Sequence, residues 1–147
     1  MAIEVGLVNE ITMIVEPSDT ARHSGGESLP PVLSTPRLIS FMERAAHYSI
    51  LPFLSDGQTS VGTVVNIRHL GATPAGMQVR FRAELVEVDR RRLLFKVEAW
   101  DALEKVGEGE HERFIIDLER FNERLAQKQD YLTGDGKTGS KQAEDPA

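Results

Sequence analysis

From Met77 to Leu85 the chain alternates strictly, with Met77, Val79, Phe81, Ala83 and Leu85 set against Gln78, Arg80, Arg82 and Glu84. That is the period of a strand with one buried and one wet face. Val86 and Val88 fall on the opposite parity, which predicts a bulge or a twist out of register. After a turn over Asp89–Arg92, the positions Leu93, Phe95, Val97 and Ala99 resume the alternation. Four strand-like runs follow one another in this half of the chain: Thr59–His69, Gly76–Val88, Leu93–Ala102 and Gly107–Leu118. A β-branched run at Gly6–Val15 predicts a first strand well before them. Between the two the period changes. Leu38, Phe41, Met42, Ala45 and Ser49 recur at helical spacing, Ser34 or Thr35 is a good N-cap, Pro36 suits the first helical position, and Pro52 ends the helix. Ile39, Ala46 and Ile50 form a second stripe about 100° from the first, so this helix is expected to touch two things.

Residues 16–31 carry three of the seven prolines together with Gly25-Gly26, and are expected to form a long loop, ordered or mobile. Residues 117–128 predict a short final helix. Residues 129–147 are expected to be a disordered polar tail, because Thr133–Ala147 has no large apolar residue to offset the entropy of ordering it. The order is one strand, a loop, one central helix, then four antiparallel strands. It predicts an α+β fold in which a curved antiparallel sheet wraps around one long helix, the order of a hot-dog fold. A single domain over residues 1–128 is expected, with a helix face or sheet edge left for dimerisation.

Composition narrows the chemistry. With 147 residues, 40% hydrophobic and 27% charged, the chain has the make-up of a globular domain. The absence of cysteine excludes disulfides, thiolate metal sites and a cysteine nucleophile. A net charge of −6 disfavours a nucleic-acid surface, the Arg90-Arg91-Arg92 turn being the one basic cluster. That turn would suit coenzyme A phosphates, although a solvated hairpin tip is the commoner explanation. No apolar run is long enough to span a membrane, and MAIEVGLVNE lacks the regions of a secretory leader, so a cytoplasmic protein without membrane contact is expected.

Three residues stand out chemically. Glu43 lies at the margin of the Ile39, Ala46 and Ile50 stripe, where the plainer reading is an exposed acid with a shielded stem. His69 shares strand parity with Val61, Val65 and Ile67, as a structural histidine or as a proton carrier. Thr35 is either the N-cap or a hydroxyl among free helix N–H groups that favour developing negative charge. Eight helical residues put Thr35 and Glu43 about 12 Å apart, so His69, a water or a second subunit has to join them. Gly62 within a strand points to a bulge or to close backbone approach, its N–H being a possible oxyanion donor. His111, on an acid-rich strand, is expected at the surface, and with His23 and His47 remote in sequence no metal site is predicted.

Taken together, "STPRLISFMERAA", "TSVGTVVNIRHLGATPAGMQV", "DRRRLLFKVEAWD" and "GEGEHERFIIDLERFNERL" resemble the fluoroacetyl-CoA thioesterase-like family of hot-dog proteins, over about residues 6–128. The resemblance implies hydrolysis of an acyl-CoA thioester at a homodimer interface, or in a higher oligomer, with no cofactor beyond the coenzyme A of the substrate. It implies catalytic roles for Thr35, Glu43 and His69, and a substrate-lining role for Gly62. Ile39 and Ala46 are expected to line the acyl pocket. The namesake enzymes carry a longer lid with an aromatic gate, whereas Ser28–Leu33 is short and holds no phenylalanine. A short or medium acyl-CoA is therefore the expected substrate class. A non-catalytic acyl-CoA-binding module and a hot-dog hydratase or dehydratase are the alternatives.

Overall fold

The computed structural model describes residues 2–134. In chain order the elements are β1 (Val8–Ile14), α1 (Ala21–Gly25), α2 (Thr35–Ile50), β2 (Gln58–His69), β3 (Gln78–Asp89), β4 (Arg92–Trp100), β5 (Lys105–Asp117) and α3 (Leu118–Thr133). The strands form one antiparallel sheet in the order β1-β3-β4-β5-β2, so β2 is an edge. The hot-dog arrangement follows from how the sheet meets α2. Val79, Phe81, Ala83 and Leu85 of β3 and Leu93, Phe95, Val97 and Ala99 of β4 all point inward, against Leu38, Phe41, Met42, Ala45, Ala46 and Ile50 of the helix. Phe41 and Phe81 meet with ring centroids 5.3 Å apart. The parity switch expected after Leu85 is a register shift between Leu85 and Glu87.

Several expectations need correction. Residues 16–31 are more ordered than a loop, with a 3₁₀ turn at Pro17–Asp19 and then α1. The cause is Asp19, which is buried and accepts from Arg37 Nε of α2 at 2.9 Å. Ala46 and Ile50 belong to the same core as the first stripe, leaving Ile39 half-buried at its edge. Sixteen helical residues under a wrapped sheet are covered over a wide arc, so two stripes merge into one. The final helix runs to Thr133, past the expected end at 128, because Leu132 continues the stripe of Leu118, Phe121 and Leu125. Residues 135–147 of the expected tail lie outside the described residues.

The β3–β4 hairpin turns at Arg90-Arg91, with Arg90 in the left-handed region at φ 60°. Arg91 pairs with Asp117 at 3.3 Å, and Arg92 with Glu112 at 2.7 Å and Glu87 at 2.8 Å. Arg90 lies 3.6 Å from Asp89, so each of the three arginines has an acidic partner within the chain, which favours the solvated-tip reading over a phosphate site.

Candidate active site

Helix α2 starts one residue earlier than its proline suggests. Ser34 is the N-cap, its hydroxyl accepting from Arg37 N, and Pro36 is the second helical residue. Thr35 is thereby released from capping. Its Oγ1 lies 2.7 Å from His69 Nδ1, joining the start of α2 to the end of β2. Val32, Thr35, His69, Leu70, Gly71 and Ala72 line a shallow recess of about 340 Å³ over this pair. Burial holds the His69 imidazole below its ordinary value of 6.5, opposed by the backbone of Gly71, so the ring is neutral at neutral pH and able to take a proton. Its Nε2 is buried with no hydrogen-bond partner among the described residues.

Glu43 sits two turns along α2, over Gly62 of β2. A Cβ at Gly62 would stand 2.7 Å from Glu43 Oε2 and 3.0 Å from His111 Cε1, so the missing side chain is what lets the carboxylate approach the sheet. The same place carries the expected bulge, a register shift between Gly62 and Val64. Close approach and bulge, weighed as alternatives from sequence, are both present.

Beneath Glu43 lies a polar cluster that sequence reasoning missed. His111, expected at the surface, is 1% exposed. On β5 the acids Glu110 and Glu112 face outward while His111 and Arg113 face inward, and the period-2 alternation of the strand was the signal that could have placed them. His111 Nδ1 is 2.8 Å from the Val64 carbonyl; since a carbonyl can only accept, the proton is on Nδ1. His111 Nε2 therefore accepts from Arg113 Nη1 at 3.1 Å. Arg113 further donates from Nε to Ser60 Oγ at 2.7 Å and from Nη2 to Ser60 O at 2.9 Å. The Ser60 hydroxyl lies 2.7 Å from His47 Nδ1, one turn beyond Glu43 on α2. Burial lowers the pKa of His111 and of Arg113, and that of His47 with the Arg113 cation adding to it.

Glu43 Oε2 is 3.9 Å from His111 Nε2 and 4.0 Å from Arg113 Nη1, inside Coulombic range but beyond hydrogen bonding. Its side chain is 38% exposed, so the carboxylate has a buffered charge and an open side. Within one chain the predicted residues fall into two groups. Thr35 pairs with His69, and Glu43 with Gly62. His69 and Gly62 are seven residues apart on one strand, about 23 Å, so neither histidine nor strand bridges the gap. Ile39 is half-buried beside Glu43, whereas Ala46 is 0% exposed in the single chain.

The chain matches the fluoroacetyl-CoA-specific thioesterase family over residues 15–119. It is 39% identical over 120 residues to a fluoroacetyl-CoA thioesterase of Streptantibioticus cattleyicolor, covering 78% of this chain and 86% of that protein. A solved structure of the fluoroacetyl-CoA thioesterase FlK superposes with a TM-score of 0.82 at 35% identity, covering 87% of this chain and 98% of the other. A thioesterase superfamily member from Thermus thermophilus superposes equally well, with a TM-score of 0.82 at 29% identity over 90% of this chain and 97% of the other.

Proposed function

Because the chain belongs to the fluoroacetyl-CoA-specific thioesterase family, we propose that it hydrolyses short or medium acyl-CoA thioesters in a site that two copies of the chain complete. It is a thioester hydrolase; the division of labour among its residues is the proposal. The observation that carries it is the 2.7 Å contact between Thr35 Oγ1 and His69 Nδ1, a hydroxyl beside a neutral imidazole at a helix N-terminus.

The pairing of two copies follows from β2. It is an edge strand of twelve residues whose middle exposes Val64 and Val65, a template for antiparallel addition of a second β2. A two-fold axis between Val65 and Asn66 sets His69 of one copy opposite Gly62 of the other, since both lie equally far from that point. Thr35 and His69 then face Glu43 across the interface, which closes the gap that one chain leaves open.

The chemistry is acyl transfer to water. Thr35 Oγ attacks the thioester carbonyl carbon as its proton passes to His69 Nδ1. The C–S bond then breaks, and the departing coenzyme A thiolate takes that proton. A water then attacks the acyl carbon as one of its protons passes to Glu43 of the other copy; the ester C–O bond breaks, and that proton moves on from Glu43 to the departing Thr35 oxygen, leaving the free acid, the hydroxyl and the carboxylate. Gly62 leaves room for the Glu43 carboxylate where a side chain would stand. The half-buried Ile39 borders the acyl group, and aliphatic contacts of this kind discriminate weakly between chain lengths.

Incubation with a panel of acyl-CoA esters tests the reading. Free thiol is released by the wild type, His69→Ala loses most of it, and Glu43→Gln retains an acyl group on Thr35 detectable as an added mass. No thiol release across the panel, with saturable binding intact, would instead favour an acyl-CoA-binding module.

A further inference from the structure

The buried Ser60–Arg113–His111 cluster, with the half-buried His47 hydrogen-bonded to it, has no part in the steps above, yet it surrounds the residue that those steps need most. Arg113 is 8% exposed and makes three hydrogen bonds, two to Ser60 and one to His111 Nε2. Its Nη1 stops 4.0 Å short of Glu43 Oε2. A guanidinium and a carboxylate this close ordinarily close into a direct, often two-point pair, which would occupy the oxygens that have to hold a water. The neighbouring histidine prevents closure. His111 is fixed by its Nδ1–H to the Val64 carbonyl, and it presents a lone pair that takes the Nη1 proton. We propose that His111 is a positioning residue for Glu43: by accepting from Arg113 it holds the guanidinium one step back, so that the carboxylate is charge-balanced yet free on its open side.

Among the described residues, Glu112 also acts on His111 through space, but its carboxylate faces outward and is held by Thr63 and Arg92. The inward faces of β3 and β4 are wholly apolar, β1 contributes Asn9 to the Ala45 carbonyl, and β2 brings Ser60 and Gly62. On α2 itself His47 is engaged with Ser60, and Arg44 lies over the Phe41 ring. Removal of the His111 acceptor leaves a buried Arg113 N–H in need of a partner, and the Glu43 carboxylate is the acceptor within reach.

The inference rests on Glu43 acting in hydrolysis, and the experiment separates the two claims. His111→Gln keeps an acceptor near the place of Nε2, whereas His111→Asn can still meet Val64 but offers Arg113 nothing. In the full-length protein, Asn is expected to lower kcat about 10- to 100-fold with KM within about threefold of the wild type, and Gln to stay within about fivefold in both. Equal losses in the two variants, or a loss confined to KM, would overturn the proposal. If the Asn variant does not fold, Ser60→Ala decides, because it removes a second tether of the same guanidinium; an unchanged kcat there overturns the proposal as well. A wild type that releases no thiol would refute the hydrolase reading itself, and is read in the same assay.

Discussion

Thr35 and Glu43 show how much a single neighbour decides. Ser34 takes the cap, and only for that reason is the Thr35 hydroxyl free to meet His69. Gly62 does the same for Glu43 by having no Cβ to meet its Oε2. Gly62→Ala therefore pushes the carboxylate aside, and a displacement of this size is expected to lower kcat/KM about 100-fold while thermal unfolding shows the fold intact. Wild-type kcat/KM in that variant would contradict the placement of Glu43. The neutrality of His69 has a pH signature. Because burial keeps its pKa below 6.5, the ring is a ready base at neutral pH, and thiol release declines as pH falls below that value. A rate that rises on acidification would contradict a neutral His69.

At the scale of elements, Ser34→Ala removes the α2 cap and is expected to cost about 1 kcal/mol, a loss of about 4 °C in Tm. Arg90→Gly should act in the opposite direction by relieving a left-handed residue, by about 1 kcal/mol, with KM for acyl-CoA unchanged because the arginines of the tip are paired with acids of the same chain. Sequence patterning was sufficient for these elements. The alternation of Met77–Leu85, its break at Val86 and the helical run from Leu38 each correspond to an observed strand, bulge and helix, because each reflects one local period. Positions that depend on a second element were less legible. The order of residues 17–25 rests on Asp19 finding Arg37, and the burial of His111 rests on α2 covering β5; neither partner is local in sequence. Thr35, Glu43 and His69 were singled out as a proposed set by resemblance, whereas local reasoning alone favoured a cap, a surface acid and a structural ring.

The whole molecule carries two consequences. His47, His69 and His111 all have pKa values lowered by burial, so the unfolded chain binds protons that the folded chain resists. Their contribution is fully present above 6.5 and is lost as pH falls through the lower folded values, so Tm should drop on acidification below that point. A Tm that is flat or rising between pH 7.5 and 5.5 would contradict the burial of these rings. The second consequence is assembly. One chain separates Thr35 and His69 from Glu43, and the proposed antiparallel pairing of β2 edges would bring them together; it predicts that light scattering gives twice the 16.3 kDa of one chain. The measurement that bears most directly on this shared site is complementation between two inactive variants. His69→Ala and Glu43→Gln are each expected to release little thiol, and subunit exchange of an equal mixture to restore about a quarter of wild-type activity, because each mixed pair contains one intact site. A mixture no more active than its components would contradict a site built from two chains.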